Sequence, residues 1–196
     1  MSWPEPVTLE GGAARLEPLA HDHVDGLREA VQDGALWELW YTSIPSPERM
    51  GDEITRRLNL RADGKMLPFT VFGPGGACVG MTTYMNVDAP NRRVEIGSTW
   101  YRASAQRSGL NTECKFLLLR HAFETLDCIA VEFRTHFFNH QSRKAIERLG
   151  AKQDGILRAH QLGADGMLRD TVVYSITAAE WPVVRRHLQF QMERRA

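Results

Sequence analysis

The residues best suited to chemistry fall in one stretch. An alternating segment at 93–101 leads through a polar loop, Arg102-Ala103-Ser104-Ala105-Gln106-Arg107-Ser108-Gly109, into Leu110-Asn111-Thr112-Glu113. A loop entering a helix offers unpaired backbone N–H groups at the positive end of the helix dipole, a place that suits a pyrophosphate. Gly109 lets the backbone approach an anion closely, Arg107 supplies a charge, and Ser108 and Thr112 supply hydroxyl donors. Just upstream, the Glu95 carboxylate can take a proton, and on a regular strand it shares a face with Gly97, Thr99 and Tyr101. The plainer reading makes Glu95 a solvated residue or an ion-pair partner of Arg92 or Arg93. Two imidazoles are further proton acceptors, His160 on a late strand and His136 at the end of an earlier one. Both also fit ordinary strand or loop histidines.

Hydrophobic periodicity gives the elements that must position these groups. Residues 7–16 read as a strand interrupted at Gly11-Gly12, followed by a helix capped by Asp22 with Val24, Leu27, Ala30 and Val31 inward. A second helix starts at Ser46 and Pro47 and buries Met50, Ile54 and Leu58. Extended segments at 68–72, 77–85 and 93–101 form an antiparallel meander around Pro74-Gly75-Gly76 and Asp88-Ala89-Pro90-Asn91. A helix over 112–126 and a strand over 129–135 make a crossover and hence a parallel pairing. Then come a helix over 142–149 closed by Gly150, strands at 155–162 and 171–176 around Ala164-Asp165-Gly166, and a last helix from about 179. Trp37, Trp40 and Tyr41 form an aromatic group that fits either an acceptor pocket or the core.

The chemistry-bearing stretch resembles the GCN5-related N-acetyltransferase family, particularly the branch with the ribosomal-protein alanine acetyltransferases of the Rim type. The family pattern is Gln/Arg-x-x-Gly-x-Gly/Ala; Gln106 and Gly109 match, and Asn111 departs with a residue that tolerates unusual backbone angles. Asn139-His140-Gln141-Ser142, before a helix ending Leu149-Gly150-Ala151, is similar to the Rim-type signature. So is the hairpin around Asp165-Gly166 with Arg169-Asp170-Thr171. The resemblance implies one domain over residues 1–196 with an α/β (α+β) fold: a mixed, mostly antiparallel twisted sheet of about seven strands, flanked by helices, with splayed central strands. It implies direct acetyl transfer from acetyl-coenzyme A to a primary amine, either a protein N-terminal α-amine or a small molecule, with no metal. The coenzyme would be held by Gln106, Arg107, Ser108, Gly109, Leu110, Asn111 and Thr112, with Asn139 on the pantetheine arm. Backbone N–H groups near Trp100 and Tyr101 would meet the oxyanion, although their side chains read as packing. Glu95 or His160 would be the base, and Ser142 would donate to the departing thiolate. Asn139 and Ser142 fit equally well as helix caps. Many relatives use a tyrosine where Ile146 stands here, so a tyrosine acid is disfavoured.

Bulk properties narrow the classes further. The 196 residues carry 43% hydrophobic content, enough for one sizeable core. Lys plus Arg total 24 against 24 for Asp plus Glu, so no overall positive field draws nucleic acid or anionic lipid. The paired arginines at 56–57, 92–93, 185–186 and 194–195 have acidic residues among them and read as solvated faces. No signal sequence or membrane-spanning run is evident, and Cys78, Cys114 and Cys128 lack metal-ligand spacing, so a cytoplasmic protein is expected. A homodimer is compatible with the exposed sheet edges. The rival reading is a non-catalytic acyl-coenzyme A-binding sensor or scaffold.

Overall fold

The computed structural model describes residues 3–163 and 165–194. Alternating and apolar runs give eight strands: β1 (Leu9–Glu10), β2 (Arg15–Pro18), β3 (Leu67–Phe72), β4 (Cys78–Asp88), β5 (Arg93–Tyr101), β6 (Ala130–His136), β7 (Lys152–Leu162) and β8 (Leu168–Thr177). They form one sheet in the order β1-β2-β3-β4-β5-β6-β8-β7, antiparallel throughout except for β5 beside β6. That parallel pair follows from the crossover through the helix between them. Five helices cover the sheet: α1 (Val24–Gln32), α2 (Met50–Ala62), α3 (Leu110–Glu124), α4 (His140–Arg148) and α5 (Trp181–Glu193).

Each face of the sheet has its own core. Leu27, Ala30 and Val31 of α1 and Met50 and Ile54 of α2 pack with Met81 and Trp100 of the sheet on one face. On the other, Cys114, Leu117 and Leu118 of α3 pack with Val94, Ile96, Val131 and Phe133 and with Trp181 and Leu188 of α5. The α3 helix lies between the sheet and α5, where Trp181 stacks on Phe123 at 5.3 Å, so it is buried on most of its circumference. Its middle, Phe116–Leu119, is accordingly apolar on all sides.

Several local expectations are corrected. The sheet has eight strands rather than about seven, partly because residues 7–16 divide into β1 and β2 at Gly11-Gly12. A Cβ on Gly11 would crowd the Glu113 carboxylate, which is held there by the Gly12 and Ala13 N–H groups. Asp22 does not cap α1; a 3₁₀ turn, His21–His23, leads into it, and no side chain bonds its first N–H groups. Ser46 and Pro47 belong to a turn closed by the Arg49 N–H on the Ser46 carbonyl (3.1 Å), and the Ser46 hydroxyl is taken by Glu48 at 2.7 Å. The helix therefore starts at Met50. Cys114 and Cys128 are buried, whereas Cys78 is half-buried. Ala164 of the late turn and Arg195 of the last arginine pair lie outside the described residues.

One irregularity decides which side chains face which way. Gly97 sits opposite Thr83, but Trp100 sits opposite Met81, so β5 holds one residue more than β4 there, with Ser98 at φ 48°. This β-bulge breaks the period of two. Glu95 and Gly97 consequently share their face with Trp100, while Thr99 turns to the α3 side. There its hydroxyl meets that of Thr82 at 2.8 Å and accepts from Lys115 Nζ at 2.6 Å. Lys115, 6% exposed, also donates to Thr82 at 3.1 Å and has no carboxylate partner among the described residues. Burial pulls its ammonium down to about 8.

A lysine held below its free pKa favours the neutral form in the fold, and the unfolded chain binds more protons between pH ~8 and ~10.5. The penalty on stability is thus complete below pH 8 and fades as pH rises through that window. At neutral pH it is on the order of 3 kcal/mol relative to the neutral amine, against about 2 kcal/mol for two hydrogen bonds of ordinary strength. Removing the amine leaves the two threonine hydroxyls bonded to each other. Lys115→Met is therefore expected to raise Tm at pH 7 by about 2–4 °C, with the gain shrinking between pH 8 and 10 in thermal melts of both proteins. A gain that grows with pH would refute the assignment.

Candidate active site

The loop after β5 is held from behind. Asp33, just past α1, accepts from Arg102 Nε at 3.0 Å, Ser104 Oγ at 2.6 Å and Ser104 N at 3.3 Å, while its carbonyl accepts the Ala103 N–H at 2.9 Å. The Ser104 hydroxyl first, and then Arg102, hold its carboxyl below the usual range. The Gln106 side chain bonds back to the Tyr101 carbonyl at 3.0 Å, and Ser108 Oγ to the Ala105 carbonyl at 2.6 Å. Two left-handed residues, Arg107 (φ 62°) and Gly109 (φ 93°), then turn the chain into α3. Among the described residues, no protein acceptor stands against the N–H groups of Arg107, Ser108, Gly109 and Asn111. Successive free N–H groups around left-handed residues at a helix start make an anion-binding concavity.

The side chains around that concavity divide by role. Arg107 and Ser108 are exposed and open to an anion, whereas Gln106 is engaged in closing the loop. Thr112 is buried, and its hydroxyl accepts from Arg148 Nη2 of α4 at 3.3 Å, so it faces protein. Glu113, an acid in the first turn of α3, accepts the N–H groups of Gly12 (2.5 Å) and Ala13 (2.8 Å).

Beside the loop the sheet opens. β5 and β6 pair through Arg93–Ala130, Val94–Val131 and Glu95–Glu132 and then part. Beyond that point β5 continues with β4 to Tyr101, and β6 continues with β8 to His136 opposite Thr171. From Ile96 onward β5 therefore has a main-chain edge without a ladder partner, and the bulge at Ser98 lies in it. Because the two strands are parallel, the β5–α3 loop and the residues leading into α4 flank the same end of this cleft. In α/β sheets such a crevice, outside the carboxyl ends of the strands, is where ligands bind.

Glu95 stands where the two strands part. It is 5% exposed; its Oε2 accepts from Asn86 Nδ2 at 2.7 Å and lies 3.6 Å from Arg134 Nε. Burial raises its pKa, partly offset by the Asn86 hydrogen bond and by the charges of Arg134 and Arg169. The expected pairing with Arg92 or Arg93 is not found: Arg92 binds Asp127, and Arg93 binds Glu132 at 3.6 Å. Gly97 leaves room for the carboxylate, since a Cβ there would come 3.0 Å from Glu95 Oε1.

The histidines lie farther along the same face. His136 accepts the Phe138 N–H on Nδ1 at 3.1 Å, so its neutral ring carries the proton on Nε2 and has no lone pair to spare. Burial, then Arg169, lowers its pKa. Four residues of β6 separate it from the level of Glu95, about 13 Å along a strand. His160 Nδ1 lies 3.1 Å from the Thr171 hydroxyl, so it belongs to the His136 level and not to that of Glu95. Trp40, 66% exposed, meets the His136 ring edge-on at 5.1 Å and Tyr41 at 5.5 Å, whereas Trp37 packs on the α1/α2 core. Trp100 and Tyr101 are buried packing residues, as read from the sequence.

At the start of α4 the two candidate caps separate. Asn139 Oδ1 accepts the Ser142 N–H at 3.0 Å, so the cap is Asn139. The half-buried Ser142 hydroxyl has no partner among the described residues. Sequence reasoning missed Asn86, Arg134 and Arg169 around Glu95, the Asp33 anchor and Lys115. Arg134 was accessible in principle, because it lies two residues after Glu132 on the strand facing Glu95. Lys115 also left a signal, one helical turn after Asn111 and one before Leu119 on a buried stripe.

Comparison with known proteins gives the fold a family. Residues 14–152 match the family described as acetyltransferase (GNAT) domain. The chain is 34% identical over 106 residues to YdaF of Bacillus subtilis (strain 168), a provisionally assigned ribosomal N-acetyltransferase, covering 54% of this chain but only 57% of that protein. A GCN5-related N-acetyltransferase from Brucella melitensis superposes with a TM-score of 0.81 at 30% identity, covering 95% of this chain and 85% of its own. An acetyltransferase from Salmonella typhimurium, described as modifying the N-terminal serine of ribosomal protein L7/L12, shares the fold (TM-score 0.77, 17% identity, 87% and 99% covered). With the family match spanning most of its length, the chain belongs to the GNAT acetyltransferase domain family.

Proposed function

We propose that the protein transfers an acetyl group from acetyl-coenzyme A to a primary amine, foremost the α-amine of a protein N-terminus. The observation that carries this reading is the cleft where β5 leaves β6, with a concavity of unbonded N–H groups at its end. The concavity suits a pyrophosphate and the unpaired β5 edge suits an amide-bearing arm, so these residues fit the coenzyme. The coenzyme supplies an activated acetyl carbonyl. The N-terminal acceptor is favoured by the similarity to YdaF and by the Rim-like motifs.

The chain's own groups account for the remaining steps. Glu95, with its raised pKa, takes the proton from the alkylammonium and passes it to solvent, leaving a neutral amine. The amine nitrogen forms its bond to the carbonyl carbon as the carbon–sulfur bond breaks. Main-chain N–H groups at the β5 bulge meet the negative charge that grows on the carbonyl oxygen. The amine's second proton ends on the thiolate, relayed through the Ser142 hydroxyl. The products are an amide, free thiol and one proton. The aromatic ring edges of Trp40 and His136 border the acceptor's approach.

Titration calorimetry should show coenzyme A binding, and Gly109→Val should weaken it at least about tenfold. A branched side chain at φ 93° is strained and crowds the concavity. Glu95→Gln should lower kcat/KM by about 10²–10⁴-fold for a peptide with an N-terminal serine while coenzyme affinity stays within error. The loss should shrink above pH 9, where the amine deprotonates unaided. Binding without turnover on any amine or N-terminal peptide would refute transfer and leave a coenzyme-binding module.

A further inference from the structure

We infer that Lys115 is a positioning residue for catalysis, holding β5 in its bulged register. This rests on the proposed acetyl transfer, in which that bulge presents N–H groups to the reacting carbonyl. Only the extra residue in β5 turns Thr99 to the α3 side. In an unbulged strand Thr99 would lie on the Glu95 face, away from the lysine. Lys115 Nζ bonds Thr99 in the bulge and Thr82 on the neighbouring strand, bridging the two strands at the point where the register shifts. From the opposite face Arg57, buried in α2 and paired with Glu53, donates to the Thr83 hydroxyl at 2.7 Å. Consecutive residues of β4 are thus gripped from both sides by buried cations, directly against the bulge.

The chemistry of the group argues for function over stability. A buried ammonium without a carboxylate costs folding energy, and methionine fills similar space without that cost. What the amine adds is selectivity between two strand registers, because it has both hydroxyl partners in only one of them. Lowering of its pKa by burial is consistent with that cost.

The test compares wild type, Lys115→Met, Thr99→Val and Thr99→Ser by acetyl-coenzyme A turnover on a serine-initiated peptide, by coenzyme A calorimetry and by thermal melting. Lys115→Met should lose about 10–10²-fold in kcat with coenzyme Kd within threefold and Tm not lowered. Thr99→Val should lose a similar factor, and the double variant should be no worse than the poorer single one. Thr99→Ser, which keeps the hydroxyl, should recover most of the loss. Wild-type kcat in Lys115→Met, or a rise in coenzyme Kd that parallels the loss of rate, would overturn the inference while leaving acetyl transfer intact. If wild type itself neither binds coenzyme A nor turns over, the parent reading falls and this one with it.

Discussion

Three residue pairs hold β5 against β6, and the pairing then stops at Glu95 and Glu132. Much of the candidate site depends on that early end. Strands that stayed paired to Tyr101 would spend every β5 carbonyl and N–H on the ladder and leave no room between the sheet's two halves. Unpaired backbone inside a domain is costly unless water or a ligand satisfies it. The open edge is therefore available to water or to a ligand that carries its own amides.

The two halves of the site are maintained by different forces. The concavity at the α3 start is a matter of backbone conformation, set by two left-handed residues and anchored through Asp33, Arg102 and Ser104. Because Asp33 follows α1, that helix and the loop before α3 share one carboxylate. Glu95, by contrast, depends on side-chain surroundings. Burial disfavours its charge, while Asn86, Arg134 and Arg169 keep part of it. That balance gives a carboxylate that is more basic than a surface one and still able to ionise.

The sequence made the element order and both core stripes legible, because periodicity reports burial directly. Leu27, Ala30 and Val31 fell where expected, and β5 kept its expected bounds. The loop of residues 106–112 was readable because a Gly before a helix start has few other uses. What escaped were features set by tertiary partners. The turn of Thr99 away from Glu95 comes from one inserted residue, and no alternation in a single strand reveals which position bulges. Asp22 and Ser46 had the right chemistry for caps, but preceding turns delayed the helices beyond their reach. The roles of Asn139 and Ser142 could be separated only by seeing whose oxygen accepts the N–H. Arg134 and Arg169 come to Glu95 from β6 and β8, far along the chain, and nothing local announces them.

The bond from Glu113 to the Gly12 and Ala13 N–H groups has a wider meaning. An acidic side chain in the first turn of a helix competes with any incoming anion for the same positive pole. Here the turn between β1 and β2 takes that carboxylate with two main-chain N–H groups, which hold its oxygens toward the hairpin. Trimming the chain before Ala14 would take away both donors and leave that carboxylate free at the mouth of α3.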